Sequence, residues 1–188
     1  DVSIGNKEAV NTALAAYVEL SEAAKVKLTS EKALLDSLLA KIDALEQEAA
    51  DQAAADEVIN AINALPSVEE LTLKDKEAVE LARSAYEGLT AAQKALVSAE
   101  VLAKLEAAES KIAELEADQA AKAEANNFKE TYADVLALTE DDVSIGNKEA
   151  VNTALAAYAE LSEAAQAKLA AEKTLLDDLL TKIETLEQ

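Results

Sequence analysis

The chain contains no cysteine, histidine, methionine or tryptophan, and among its 188 residues there are only three glycines, one proline and five aromatics. Each absence removes a class of chemistry. Without cysteine there are no disulfides, no thiolate nucleophile and no zinc–thiolate site. Without histidine, no imidazole can activate a serine or threonine hydroxyl. Three scattered glycines cannot build a phosphate-cradling loop, and the single arginine, Arg83, leaves almost no capacity for bidentate phosphate recognition. There is no run of 18 apolar residues, and no basic stretch followed by an apolar one. Neither a membrane span nor a secretory leader is therefore expected in this sequence.

What is present is alanine, leucine, glutamate and lysine. The hydrophobic fraction is 51% but the aromatic fraction only 3%, so most of the apolar content is small and helix-favouring. With the punctuation of sheets and long loops nearly missing, the composition predicts an all-α chain. The formal charge is −21, from 38 acidic and 17 basic residues. Such a field repels nucleic-acid phosphates and anionic lipid surfaces, so neither is expected as a partner.

The sequence repeats itself. "DVSIGNKEAVNTALAAY" at Asp1 returns unchanged at Asp142, and across residues 1–47 and 142–188 there are 37 identities in 47 positions. A fainter copy lies between them: "LTLKDKEAV" from Leu71 answers "VSIGNKEAV" from Val2, and "SKIAELE" from Ser110 answers "AKIDALE" from Ala40. A period of about 70 residues in a helical composition reads as an array of helical units.

Within each unit a first helix is expected from Asn6, Asp75 or Asn147, whose short polar side chains suit an N-cap. Its apolar stripe is Val10, Ala13, Tyr17 and Leu20, repeated as Val79, Ala82, Tyr86, Leu89 and Val151, Ala154, Tyr158, Leu161. Steps of three and four put each set on one face. A short second helix should begin at Ser21, Thr90 or Ser162, with Thr90 and Gln93 at capping-box spacing. A third helix carries Leu35, Leu38, Ile42 and Leu45, then runs on through "EQEAADQAAADE" to Val58, Ile62 and Leu65, where Pro66 stops it. The same passage recurs from Leu105 and Ile112 through "EADQAAKAEANN" to Phe128, Tyr132 and Val135.

The alanine-rich stretches have no breaker and nothing large to bury, which suggests struts between cores. One continuous helix would leave one bundle and lead into the next. The expected architecture is tandem three-helix bundles joined by continuous helices into an elongated rod. Its units are 1–50, 51–118 and 119–188, the first incomplete because its lead-in helix is missing. The structural core is expected at Val10, Tyr17, Leu38, Ile42, Val79, Tyr86, Ile112, Phe128, Tyr132, Val151, Tyr158, Leu179 and Ile183. Substitutions between the outer copies, such as Val18 to Ala159, Lys25 to Gln166 and Ser37 to Asp178, avoid these positions.

The segment "AVELARSAYEGLTAAQKALV", with Tyr86, Leu89 and Thr90, and its counterparts around Tyr17 and Tyr158 resemble the tandem three-helix repeats of Gram-positive cell-surface proteins, akin to FIVAR and GA-type modules. The resemblance extends over nearly the whole chain. It implies a wall-attached or secreted parent protein, a stalk or spacer role, and in some members binding to a host protein or glycan. No catalytic residue comes with it.

Other sites are weighed against solvated helix faces. Carboxylates are abundant, but acid–base work needs a cleft that separates their pKa values, and amphipathic helices promise none. Glu140, Asp141 and Asp142 in the loop 139–144 form an acidic cluster that could attract calcium, without the alternating ligands and glycine of a calcium loop. Asp1 is the first copy's only member of that cluster. Arg83 stands where the outer copies have Leu14 and Leu155, a boundary position for a snorkelling stem. No enzyme activity, cofactor or metal is expected. The expected partners are neighbouring repeats and a candidate host protein or glycan, together with self-association through the incomplete first unit. The expected role is a non-enzymatic spacer of an extracellular surface protein. A helical binding module is the alternative.

Overall fold

The structure, a computed structural model, describes residues 2–188; Asp1, the first repeat's counterpart of Asp142, lies outside them. Among the described residues every regular element is helical, as the composition requires. Two compact units are present. One comprises the residues up to Glu70 with Asp75–Glu109, the other Leu71–Lys74 with Ser110–Gln188.

The first unit opens with a single 3-10 turn, Ile4–Asn6, and then holds α1 (Lys7–Val18), α2 (Glu22–Lys27), α3 (Thr29–Asn63), α4 (Lys76–Gly88) and α5 (Ala91–Lys94), with the beginning of α6 (Ala99–Thr131). Helix α3 is 35 residues long and unbroken through its alanine-rich middle, because alanine, glutamate and glutamine carry no conformational reason to stop. It ends at Asn63, whose carbonyl accepts a hydrogen bond from Lys104 Nζ at 2.9 Å. Pro66 follows, disfavouring helical backbone in the residue before it. The N-terminal half of α3 packs on α1, burying Val10 and Ile42; its C-terminal half packs on α4 and α5. There Ala55, Val58, Ile62 and Leu65 are buried, as are Val79, Ala82, Leu105 and Ala108.

In the second unit the rest of α6 is followed by α7 (Ala133–Leu136), α8 (Lys148–Ala159), α9 (Glu163–Lys168) and α10 (Ala170–Leu186). Its core gathers Ala125, Phe128, Val143, Val151, Ala154, Leu169, Leu176, Leu179 and Ile183. Helix α6 does not run straight to Val135, as the apolar pattern suggests. Tyr132 leaves helical geometry with φ −107° and ψ 22°, and α7 restarts after it. The hydrogen bonds from Tyr132 N to Phe128 O and from Leu136 N to Tyr132 O bridge this kink.

Two sequence expectations change. Asn6 and Asn147 do not cap α1 and α8. Their Oδ1 atoms instead accept from the backbone N–H and hydroxyl of Ser3 and Ser144, at 2.8–3.1 Å, closing the turn ahead of the helix. The alanine-rich stretches are also more than struts, since Ala55, Ala121 and Ala125 are buried. A methyl side chain lets the short helices approach: Gln93 of α5 donates to Asp51 of α3, and Ser162 ahead of α9 donates to Glu124 of α6. The short helices begin as the sequence indicates, with a reciprocal Thr90–Gln93 box before α5 and Ser162 Oγ accepting from Ala165 N before α9.

Candidate functional site

The residues expected in the core divide into two groups. Val10, Ile42, Val79, Ile112, Phe128, Val151, Leu179 and Ile183 are buried, whereas Tyr17, Leu38, Tyr86, Tyr132 and Tyr158 are half-buried. Two of the repeat tyrosines are tied through their hydroxyls. Tyr17 OH donates to Lys25 O at 3.3 Å and Tyr158 OH to Gln166 O at 3.1 Å, holding α2 and α9 against the preceding helix. A cation lies over each ring: Lys32 over Tyr17 at 5.8 Å, Lys173 over Tyr158 at 5.8 Å, and both Arg83 and Lys94 over Tyr86 at 5.7 and 5.5 Å. Tyr158, engaged by hydroxyl, edge and face, has little left with which to recognise a ligand; Tyr17 is held by hydroxyl and face, and Tyr86 by two cations at its face.

The carboxylates form no acid–base constellation. No polar or charged residue is buried among the described residues, and no group of three or more acidic side chains is placed to hold a metal ion. In the loop 139–144 Asp142 accepts from Thr139 Oγ1 at 2.6 Å, while Glu140 and Asp141 are exposed. The perturbed carboxylates sit instead where α6 meets α9 and α10. Hydrogen bonds from Lys122 and Lys168 bring Asp118 down to about 2. Burial pushes Glu172 up, but its bond to Lys129 at 2.6 Å contributes to holding it below the ordinary carboxylate range.

Both groups have folded values below their unfolded ones. Each contributes stability that is present above its unfolded value; for Asp118 it is lost as pH falls through about 2, and for Glu172 it is lost as pH falls below the ordinary carboxylate range. Asp118→Asn should therefore melt below the parent chain at pH 7, and the gap should close between about pH 4 and 2 in thermal scans of both proteins.

Arg83 is more than a snorkelling stem. Its guanidinium grips Glu109 through both oxygens, Nε to Oε1 at 2.5 Å and the second NH2 to Oε2 at 2.6 Å. In register, Arg83 and Glu109 replace Leu14 and Leu39 of the first copy and Leu155 and Leu180 of the third. A leucine pair has been exchanged for an ion pair at one interhelical position. Because the pair is partly solvated, Arg83→Leu should cost about 1 kcal/mol. Adding Glu109→Leu should recover that loss, giving a coupling of similar size in a double-mutant cycle read by denaturant titration.

The strongest candidate surface comes from comparing the two near-identical copies. Ala154, Ala165, Leu169, Leu176 and Leu179 are buried, but their counterparts Ala13, Ala24, Leu28, Leu35 and Leu38 are only half-buried. Val143 is buried and Val2 is not. None of these positions differs in residue type, so the cause lies in what covers them. In the third copy the C-terminal half of α6 and α7 lie over the face, supplying Ala125, Phe128, Tyr132, Val135 and Leu136. In the first copy the face is an open groove of about 600 Å³, with Val2, Val10, Leu35 and Leu38 in its lining. Leu34 beside it is 60% exposed, while its counterpart Leu175 packs on the core. Among the described residues no helix lies over this face as α6 and α7 lie over its counterpart in the third copy.

Comparison of the chain with protein-family models, with curated proteins and with solved structures finds no match. No helix among the described residues is long and apolar enough to cross a membrane.

Proposed function

We propose that this chain is a non-enzymatic spacer: three-helix units in tandem, joined by shared helices into a stiff rod, within a surface or secreted protein of a Gram-positive bacterium. One observation carries the reading. Helices α3 and α6 run without interruption across residues 29–63 and 99–131, each from the end of one sequence repeat into the start of the next. A helix of 35 residues is about 50 Å long, and sharing it between repeats leaves no flexible linker at which the array could fold back. The high negative charge suits a segment displayed at density, since like-charged stalks repel.

A binding module for a host protein or glycan would need an exposed apolar or aromatic patch shared by the repeats. The exposed large apolar residues do not recur in that way. Val18 and Val26 of the first copy are Ala159 and Ala167 in the third, Leu81 of the middle copy answers to Thr12 and Thr153, and the Ile4–Ile145 pair alone is shared. That distribution favours the spacer.

Small-angle X-ray scattering over a concentration series tests it. A concentration-independent maximum dimension near or beyond about 100 Å, from three units of about 35 Å each, is expected. A compact particle would overturn the rod.

A further inference from the structure

We propose that Arg83, Leu102 and Glu109 form a pairing key in the middle repeat. The key makes α4 select the first half of α6 and reject the corresponding helices of the outer repeats.

Near-identical units face a pairing problem, because their apolar faces are almost interchangeable. The stripe Val79, Ala82, Tyr86 and Leu89 matches that of α1 and of α8 residue for residue. On the facing helix Leu105, Ile112 and Leu115 answer to Leu35, Ile42 and Leu45, and to Leu176, Ile183 and Leu186. Only Ala108 departs, standing where the outer copies have Leu38 and Leu179. Apolar burial is non-directional, so these stripes do little to tell a correct partner from a wrong one, within one chain or between two.

The residues beside the stripe supply the difference. In the outer repeats the third helix places a cation over the repeat tyrosine, Lys32 over Tyr17 and Lys173 over Tyr158. The middle repeat has Leu102 in that register, and its first helix supplies Arg83 instead, with Lys94 of α5 on the same ring. Glu109 then holds the guanidinium of Arg83 through both carboxylate oxygens. Three exchanges thus occur together at one interhelical contact: leucine to arginine, lysine to leucine, and leucine to glutamate.

Each wrong pairing breaks this set. On α10 or the start of α3, Arg83 would meet Leu180 or Leu39, half-buried side chains that accept no hydrogen bond. It would also compete with Lys173 or Lys32 for one ring face. In the reciprocal error, α1 or α8 on α6, Glu109 would meet Leu14 or Leu155, and the tyrosine would lose the cation of its third helix. A charge stranded against leucine penalises the wrong partner more than a partly solvated ion pair stabilises the right one. The choice of partner is what this exchange supplies, whatever role the whole chain serves.

The test is refolding of the full chain from denaturant at high protein concentration, with helix-exchanged dimers counted by size-exclusion chromatography and light scattering. Giving the middle repeat the outer residues, R83L/L102K/E109L, should raise the exchanged fraction about fivefold while the denaturation midpoint stays near the parent's. Two further variants keep an ion pair in the third repeat and separate pairing from stability. L155R/K173L/L180E copies the middle repeat's key there, and L155E/K173L/L180R reverses it. Exchange should rise in the first and stay at the parent level in the second. A parent-like exchanged fraction in R83L/L102K/E109L would overturn the proposal, as would equal exchange in the two third-repeat variants.

Discussion

Leu176→Ala should destabilise the third repeat by about 3–4 kcal/mol, whereas Leu35→Ala, at the same place in the first repeat, should cost about 1 kcal/mol. The two leucines share their apolar neighbours along the helix: "EKALLDSLLAKI" around one and "EKTLLDDLLTKI" around the other differ only at Ala33/Thr174, Ser37/Asp178 and Ala40/Thr181. Leu176 is fully enclosed, so truncation loses the transfer energy of three carbons and leaves a cavity. Leu35 lines an open groove into which water already reaches, so no cavity forms. Because a chain of repeats need not unfold in one step, the effects are best read by native-state hydrogen exchange of α10 and of the N-terminal half of α3. Equal losses at both sites would mean that the first repeat is packed as tightly as the third.

Much of the helical layout is legible in the sequence because it depends on local pattern. Steps of three and four place Val79, Ala82 and Tyr86 on one face of α4. The absence of glycine and proline from "EQEAADQAAADE" leaves α3 no reason to break. What escapes is whatever depends on the facing element. Asn6 accepts from Ser3 behind it rather than from the first turn of α1, and a short polar side chain at that place serves either role. The kink at Tyr132 occurs in a segment whose apolar spacing is regular.

The Arg83–Glu109 pair was within reach of the sequence, but only when two repeat positions are read together. Arg83 alone looks like a tolerated boundary residue; beside Glu109, and against Leu14–Leu39 and Leu155–Leu180, the exchange is paired. The buried alanines escape for a related reason. A methyl group at Ala55 or Ala125 carries little hydrophobic signal, yet a short helix can dock only where the facing side chain is small. The candidate groove lies between these cases. Its lining residues are identical in the first and third repeats, so only the third repeat's packing, with α6 and α7 over the face, shows that the first repeat's face lies open among the described residues.

Phe128→Ala should cost about 3–5 kcal/mol and should make the third repeat behave like the first. Phe128 is the largest side chain that α6 contributes to the second core, and only 3% of it is exposed. Its ring stands 4.9 Å from Tyr132 in a tilted arrangement and 6.1 Å from Tyr158, edge to face, so it joins the covering helix to α8. Removing the ring takes away the central apolar anchor but leaves Asp118–Lys168 and Lys129–Glu172, which are solvated and cannot hold the helix in place alone. Hydrogen-exchange protection across α8 and α10 should then fall toward that of α1 and the first half of α3, while Phe128→Leu, which fills most of the volume, should keep it. Unchanged protection in the Phe128→Ala protein would mean that the cover is not what separates the two copies, and the identical residues of the first repeat would need another reason for lying open.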